Sequence, residues 1–227
     1  MNKIRFVVAT RESEADFLKK TATGRSLSIY NFPFMEFQVF PDNKEGLSKL
    51  YNIAIQESIS DPAILIFAHD DLHIIDYFWA NQVFECLKKF DIVGLAGNKR
   101  RLPGQPGWAF VDDKFTWDDR SNLSGVVGHG KSFPPSNLSI FGTPGQEVRL
   151  LDGLMLICHS KTLVDADIRF DERFQFHFYD LDFCRQAELK NLRMGTWPLS
   201  LIHESGGSFG TNSWREAYSM YLDKWES

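Results

Sequence analysis

The sequence predicts a layered α/β domain, because segments typical of strands alternate with segments typical of helices along its first half. Apolar runs at residues 4–9, 36–40 and 64–68 are typical of strands. Between the last two, residues 46–58 carry apolar side chains at helical spacing. Since every position of 64–68 is apolar, we expect this strand to be covered on both faces, as in sheets flanked by helices.

Two further helices and one strand complete the predicted first half. Ser13 and Asp16 resemble a capping box, which indicates a helix directly after Ser13. Asp76 is a suitable N-cap for a helix that ends near Lys89. Residues 91–96 are then predicted to form a fourth strand.

The character of the chain changes between residues 98 and 146, where glycine, proline, serine and asparagine are frequent. A structureless loop of this length is uncommon in a compact domain, so we expect short strands and turns with a binding role. Four aromatic residues of this segment fit either the wall of a substrate pocket or, through their spacing, a half-buried hairpin. They are Trp108, Phe110, Phe115 and Trp117.

Regular structure is predicted again after residue 150. Residues 151–158 and 195–201 are typical of strands, and a helix is predicted to begin within 176–185 and to end near Leu192. The final segment carries large aromatic side chains at helical spacing, which is typical of a face that docks against a core. These residues are Trp214, Tyr218, Tyr221 and Trp225.

Composition places the chain among ordinary globular proteins. With 227 residues, 43% of them hydrophobic and 24% charged, it is long enough to bury one substantial core, and a single domain over 1–227 is expected. The net charge of -5 argues against the basic footprint of a nucleic-acid-binding protein. The densest basic patch, residues 98–101, is interpreted as a solvated loop, with a pocket for phosphate or an acidic acceptor as the alternative.

The three cysteines predict a reducing compartment. Cys86, Cys158 and Cys184 lie far apart among apolar neighbours and lack the CxxC spacing of zinc sites, so we expect buried thiols in a cytoplasmic protein. The first residues lead directly into a strand without a signal-peptide pattern, and no apolar run approaches the roughly 20 residues of a membrane helix. Any association with a membrane is therefore expected to be peripheral, through a partner or a lipid acceptor.

The most informative segment is His69-Asp70-Asp71, which ends the apolar run at 64–68. Two adjacent carboxylates repel each other and are costly to desolvate unless a cation or hydrogen-bond donors compensate them. Ligands of open α/β sheets bind outside the carboxyl ends of strands. Oxygen ligands here suit Mg²⁺ or Mn²⁺, and the imidazole favours Mn²⁺. The alternative is a helix N-cap, with a helix that begins near Leu72.

Further motifs, taken in order, resemble those of the nucleotide-sugar glycosyltransferases with the GT-A fold, particularly the large inverting family and its short glycosyltransferase-like branch. The segment 69–71 stands where the family has a D-x-D motif, with His69 in place of the first Asp. Residues 179–185 resemble the family's E-D-x-D-L-x-x-R helix start, with Tyr179 in place of Glu. The other matching segments are Ala9-Thr10-Arg11, residues 43–46 with 51–54, Asp152-Gly153, and His203.

The resemblance implies a fold, a donor site and a metal site. The fold would be a GT-A (Rossmann-like) three-layer α/β sandwich with a mostly parallel central sheet flanked by helices. Residues 1–97 would form the nucleotide-binding half, 98–150 an irregular insertion, and 151–227 the acceptor half with the C-terminal helix. The implied ligands of Mn²⁺ or Mg²⁺ are Asp71, His69 and His203. The implied contacts of the nucleotide-sugar are Thr10, Arg11, Asn43, Asn52, Asp70 and Asp152.

The chemistry of sugar transfer asks for these residue types. The leaving diphosphate gains negative charge, which a divalent cation neutralises where it develops. A carboxylate must accept the proton of the acceptor hydroxyl, and the resemblance implies Asp180 as this base. One base on the face opposite the leaving group gives inversion. The alternative role of Asp180 and Asp182 is to stabilise the start of a helix.

We therefore expect a metal-dependent, inverting glycosyltransferase of polysaccharide biosynthesis. It would move a sugar from a UDP- or dTDP-sugar to a glycan, lipid-linked or small-molecule acceptor. A catalytically inactive GT-A domain that binds a nucleotide or glycan is the alternative, because His69 and Tyr179 depart from the family pattern. A nucleotidyltransferase is disfavoured, because residues 9–12 lack the glycines of a phosphate loop.

Overall fold

The computed structural model describes residues 3–30 and 32–226 of the chain. The helices within these residues are α1 (Glu14–Lys20), α2 (Ala22–Ile29), α3 (Leu47–Glu57), α4 (Trp79–Lys89), α5 (Ser160–Asp165), α6 (Tyr179–Leu189) and α7 (Asn212–Trp225). The strands are β1 (Ile4–Ala9), β2 (Met35–Phe40), β3 (Ile64–Ala68), β4 (Leu72–Ile74), β5 (Ile92–Gly94), β6 (Ala96–Asn98), β7 (Leu123–His129), β8 (Asn137–Gly142), β9 (Glu147–Val148), β10 (Leu150–Leu151), β11 (Met155–His159), β12 (Met194–Thr196) and β13 (Leu201–His203).

The strands form two mixed sheets. The order of the larger sheet is β2-β1-β3-β11-β5-β12-β9, and that of the smaller is β10-β6-β7-β13-β4, with β8 paired to β7. In the larger sheet β1 runs parallel to β2 and β3, and β5 to β12, whereas β11 is antiparallel to both β3 and β5. The prediction of a mostly parallel sheet is therefore wrong. The apolar pattern of a strand such as β11, which is buried over most of its length, does not indicate in which direction the strand enters the sheet.

The core is built around β3, whose residues are all buried as predicted. The ring of Phe67 lies 4.7 Å from that of Tyr51 in α3 and 5.2 Å from that of Phe170. Because packing on both faces holds β3 in place, the residue that follows it, His69, has a defined position. The apolar face predicted for α3 is also buried, through Leu50, Tyr51, Ala54 and Ile55.

Predicted helix starts in the first half are present, with one shift. α1 begins directly after Ser13, whose hydroxyl donates to the Asp16 carboxylate at 3.1 Å. α4 begins at Trp79 instead of directly after Asp76. The carboxylate of Asp76 accepts a hydrogen bond from the backbone N–H of Phe78, so it stabilises the turn that precedes the helix.

Two local features differ from the predictions. Helix α2 was not expected, because its threonine, glycine and serine residues are poor helix formers. Its first turn is stabilised by Thr21, whose hydroxyl oxygen accepts a hydrogen bond from the N–H of Gly24. The predicted strand at 91–96 divides into β5 and β6, and that at 195–201 into β12 and β13. At both places the chain passes from the larger to the smaller sheet.

The segment 98–146 contains short strands and turns, as predicted, with β7 and β8 forming an antiparallel pair. Two arginines of the basic patch at 98–101 form ion pairs within the protein, Arg100 with Asp118 and Arg101 with Glu188. Because their charges are paired with carboxylates, they agree with the loop interpretation and not with a phosphate pocket.

The predicted state of the cysteines is confirmed, because all three are buried and free.

Among the described helices, none has the length and apolar character that a membrane span requires. On the surface of α5, Lys161 forms an ion pair with Asp165 at 2.8 Å.

Helix α7 docks against the start of α6, which confirms the predicted aromatic face. The rings of Trp214, Tyr218 and Tyr221 lie 5.4, 5.5 and 5.3 Å from that of Phe178. The indole N–H of Trp225 donates to a carboxylate of α6 at 2.8 Å. The C-terminal helix therefore fixes the point where α6 begins.

Candidate active site

The turn after β3 leads directly into β4. The backbone N–H of His69 donates to the carbonyl oxygen of Leu154 at 3.1 Å, which ties this turn to the segment before β11. Strand β4 pairs antiparallel with β13, which places His203 opposite Leu72 and beside Asp71. The helix N-cap interpretation is therefore wrong, because a strand and not a helix follows these residues.

Three side chains form a candidate cation site. Potential ligand atoms of His69, Asp71 and His203 lie within 4.8 Å of one another. Oδ1 of Asp71 is buried and accepts no hydrogen bond, with Nε2 of His203 at 3.3 Å. A buried carboxylate oxygen without a donor is costly unless a cation compensates it. One carboxylate and two imidazoles can hold a divalent cation, so these residues fit a metal site.

The electrostatics of this cluster favour the metal-binding protonation state in two of its three residues. Burial would raise the pKa of Asp71, but the His203 imidazole, the Ser205 hydroxyl and the charge of His69 together lower that pKa overall. Burial lowers the pKa of His203, and the Asp71 carboxylate reverses this effect and raises it overall. For His69, burial is the largest effect and lowers the pKa. The cluster therefore favours an anionic Asp71 and a neutral His69, the forms that bind a cation, whereas the raised pKa of His203 means that its ring would release a proton when a cation binds.

Tyr179 connects the cluster to the turn that precedes β11. Its hydroxyl donates to the carbonyl oxygen of Gly153 at 2.7 Å and lies 3.1 Å from Nε2 of His69. The residue is 3% exposed, so this arrangement is enclosed by the core. From the sequence, Tyr179 was only a departure from the family motif; the structure places it in contact with a candidate metal ligand.

Asp180 lies in the first turn of α6 and faces the same turn before β11. Its Oδ2 accepts a hydrogen bond from the N–H of Gly153 at 2.9 Å. Burial, and after it the negative charge of Asp152, raise the pKa of Asp180 to about 7. A carboxylate whose pKa lies near neutral pH is suited to accept a proton during a reaction.

Two backbone features set the geometry around Asp180. At Gly153, an added Cβ would lie 2.4 Å from Oη of Tyr179 and 2.9 Å from Cβ of Asp180, so only glycine permits this approach. Phe178, just before α6, has a left-handed backbone with φ of 65°, which is unusual for a bulky residue. Its aromatic contacts with α7 hold it there. No local sequence pattern signals this conformation, so sequence analysis missed it.

Two cavities meet at the cluster. A β1-side cavity of about 590 Å³ lies beside the ends of β1 and β3. An α6-side cavity of about 530 Å³ lies beside the start of α6 and contains Asp152 and Asp180 in its wall. Residues that line both cavities are His69, Phe176 and Ser205. The candidate cation site therefore lies between two spaces, each large enough for a small ligand.

Four of the predicted nucleotide contacts line the β1-side cavity, namely Thr10, Arg11, Asn43 and Asp70. The hydroxyl of Thr10 donates to Oδ2 of Asp70 at 2.6 Å, which joins the ends of β1 and β3. The side chain of Asn43 accepts a hydrogen bond from the N–H of Glu45 at 2.8 Å, forming a tight turn. Arg11 is exposed and brings a positive charge to the cavity.

The other two predicted contacts lie elsewhere. Asn52 is not among the residues that line either cavity: its amide accepts from the N–H of Phe170 and donates to the carbonyl oxygen of Phe170, both at 2.9 Å. It thus links α3 to the segment before α6. Asp152 lines the α6-side cavity, where its carboxylate accepts a hydrogen bond from the indole of Trp108 at 2.8 Å.

The α6-side cavity has aromatic walls. Trp108, Phe110 and Trp117 line it, whereas Phe115 packs on Trp214 with ring centroids 5.2 Å apart. Phe110 and Trp117 also pair through a backbone bridge. The short backbone pairing agrees with the hairpin interpretation, and it presents aromatic rings to a cavity. Such rings provide large apolar contact surfaces for a ligand.

Comparison with protein families supports the resemblance seen in the sequence. The model described as glycosyltransferase-like family matches residues 33–205. This match includes the segments of Asn43, His69 to Asp71, Asp152 and Asp180, and it reaches His203. Comparison with the curated proteins found no match.

Solved structures of glycosyltransferases have a similar fold. The catalytic domain of Drosophila β1,4-galactosyltransferase 7, solved with xylobiose, is 10% identical with a TM-score of 0.53, over 96% of this chain and 80% of that one. GalNAc-T7, solved with UDP, GalNAc and Mn²⁺, is 10% identical with a TM-score of 0.53, over 100% of this chain and 49% of that one. The chain thus spans about half of the GalNAc-T7 chain. At this identity, the comparison supports the predicted GT-A architecture and no finer property.

Proposed function

Because the chain belongs to the glycosyltransferase-like family, we propose that it transfers a sugar from a nucleotide-diphosphate donor to an acceptor hydroxyl, with inversion. One observation carries this proposal. Two cavities meet at a His-Asp-His cluster, and a carboxylate with a pKa of about 7 lies in the wall of the second. A transferase that acts on two substrates needs such a pair of adjoining spaces, with charge stabilisation at their junction.

The donor is proposed to occupy the β1-side cavity, as a UDP- or dTDP-sugar. Thr10, Arg11 and Asn43 would contact the nucleotide, and Asp70 a ribose or sugar hydroxyl. The exposed guanidinium of Arg11 supplies charge complementary to a phosphate. GalNAc-T7, which has a similar fold, was solved with UDP and Mn²⁺.

His69, Asp71 and His203 are proposed to hold Mn²⁺ or Mg²⁺. When bound, the cation would neutralise the charge that develops on the leaving diphosphate. The orphaned Oδ1 of Asp71 is the feature of this chain that most favours a cation here. With His69 in place of a carboxylate, the cluster contributes one negative charge and two nitrogen ligands, which favours Mn²⁺ over Mg²⁺.

Asp180 is proposed to be the base and Asp152 a neighbouring contact of the sugar. An acceptor in the α6-side cavity would give its hydroxyl proton to Asp180 as the new glycosidic bond forms, while the bond to the diphosphate breaks. The aromatic walls suit a glycan, a lipid-linked sugar or an apolar small molecule. The buried, free cysteines agree with a cytoplasmic location, and contact with a membrane would be made through a partner or a lipid acceptor.

Thermal denaturation with a panel of UDP- and dTDP-sugars, each with and without Mn²⁺, tests the donor. A ligand that binds only the folded protein must raise the melting temperature. The donor found in this way is then offered with candidate acceptors. We expect Asp180→Asn to keep the donor-dependent stabilisation but to reduce transfer by roughly 10²- to 10⁴-fold. The matched control is Asp165→Asn, on the exposed face of α5.

Each outcome of this test is informative. Full transfer by a folded Asp180→Asn protein would show that another group is the base. Stabilisation by a donor without any transfer by the unmodified protein would favour the catalytically inactive binding module. The absence of both stabilisation and transfer across the panel would exclude the proposed function.

A further inference from the structure

The hydroxyl of Tyr179 makes two contacts of hydrogen-bond geometry, with Gly153 and His69, and its single proton can serve both in only one way. The carbonyl oxygen of Gly153, at 2.7 Å, can only accept, so Tyr179 must donate its proton there. Nε2 of His69 lies 3.1 Å from the same hydroxyl oxygen. Because that oxygen has no second proton to give, it must accept a hydrogen bond from Nε2. Nε2 of His69 therefore carries the hydrogen of the ring.

This assignment decides which nitrogen can bind a metal. In a neutral imidazole one nitrogen carries the hydrogen and the other has the free lone pair. We propose that Tyr179 is a positioning residue that holds His69 in the tautomer whose Nδ1 lone pair is free for the cation. The inference rests on the proposed metal site and adds to it the residue that prepares the ligand. Partners of this kind fix the tautomer and the orientation of histidine ligands.

The surroundings of Tyr179 keep its hydroxyl in place. The residue is 3% exposed, and its ring lies 5.9 Å from that of Tyr51. His69 is also constrained on its other side, where its ring stacks on Phe176 at 6.1 Å. Both partners of the hydrogen bond are thus restricted in rotation, so the bond can select one tautomer.

The same geometry explains why a tyrosine stands where a carboxylate was expected. An ionised carboxylate has no proton to donate, so at this position it would face the carbonyl oxygen of Gly153 without a hydrogen bond. The hydroxyl group of Tyr179 donates a hydrogen bond to the carbonyl oxygen of Gly153 and accepts one from His69. The departure from the family motif is therefore consistent with a site that uses His69 in place of an aspartate.

Long-range ¹H–¹⁵N spectra of the histidine rings test the tautomer in the metal-free protein at pH 8. His69→Gln identifies the signal of His69 among the 6 histidines. We expect the pattern of a ring with hydrogen on Nε2 in the unmodified protein, and a shift toward a mixture of tautomers in Tyr179→Phe. A His69 signal with hydrogen on Nδ1 in the unmodified protein would overturn the inference without any variant.

Calorimetric titration with Mn²⁺ tests the consequence for the metal. We expect Tyr179→Phe to weaken Mn²⁺ binding by roughly 10- to 100-fold. The matched control is Tyr218→Phe, which also removes a hydroxyl that donates to a glycine carbonyl, that of Gly104 at 2.5 Å. A general loss of stability would affect both variants, whereas loss of the His69 contact affects only Tyr179→Phe.

The failure of this inference can be told apart from failure of the proposed function. If the unmodified protein binds Mn²⁺ and Tyr179→Phe binds it equally well, the role of Tyr179 is wrong and the metal site stands. If the unmodified protein binds no Mn²⁺, both the metal site and the role of Tyr179 in it are wrong. Transfer from a donor without added metal would then show whether the rest of the proposed function survives.

Discussion

Asp152 and Asp180 face one cavity, and burial together with the charge of Asp152 raises the pKa of Asp180 to about 7. The two carboxylates approach the cavity from different elements, Asp152 from the turn before β11 and Asp180 from the first turn of α6. Gly153 permits this approach because it has no Cβ. Its N–H also donates a hydrogen bond to Asp180. The pair gives the site a carboxyl group whose pKa lies near neutral pH.

Removal of the charge at position 152 should shift the pH dependence of transfer. In Asp152→Asn we expect a lower pKa for Asp180, because one of the two causes that raise it is gone. A base acts when deprotonated, so activity should reach half of its maximum at a lower pH than in the unmodified protein. The measurement is kcat/KM against pH, with the exposed Asp113→Asn as the control. An unchanged profile would show that Asp180 does not titrate as the base.

Loss of the carboxylate at position 71 should abolish stabilisation by Mn²⁺. Asp71 supplies the negative charge of the candidate cation cluster, and its Oδ1 has no donor of its own. In Asp71→Asn we expect Mn²⁺ to leave the melting temperature unchanged, while Asp165→Asn keeps the full rise. An equal rise in the Asp71→Asn protein would place the cation elsewhere.

The structure predicts that Asn52 acts on stability and not on the donor. Its amide makes two hydrogen bonds with the backbone of Phe170. We expect Asn52→Ala to lower the free energy of unfolding by about 1–3 kcal/mol, and to leave donor affinity unchanged at a temperature where the protein is folded. Urea denaturation and donor titration measure the two effects. A selective loss of donor affinity with unchanged stability would restore the role that the family resemblance implied for Asn52.

A methyl group at position 153 should damage the site and the fold together. The added Cβ of Gly153→Ala would lie 2.4 Å from Oη of Tyr179, within the core. We expect a loss of roughly 1–3 kcal/mol in stability, with displacement of both Tyr179 and Asp180 and loss of transfer. Gly206→Ala is the control for stability, because nothing lies within 4 Å of its added Cβ. Similar melting temperatures for the two variants would contradict the close approach at Gly153.

Much of the candidate site could be predicted because its residues follow apolar runs or begin a helix. His69 directly follows β3, Asp71 directly precedes β4, and His203 is the last residue of β13. Asp180 lies at the start of a helix whose motif resembles that of the family. Such positions are visible in the sequence, since burial produces an apolar pattern and its end produces a polar one. The resemblance then assigned the roles.

The sequence by itself determined the α/β class, the buried strand β3, the apolar face of α3 and the set of polar residues available to the site. Only the tertiary structure decided the direction of β11, the pairing of β4 with β13 that places His203 beside Asp71, and the two bonds of Tyr179. It also showed that Asn52 lines neither cavity and instead bonds the backbone of Phe170. The physical reason is the separation along the chain of the residues that determine each property. An apolar pattern reports the burial of a residue along its own element, whereas strand direction and hydrogen-bond partners depend on residues that are far apart in the chain.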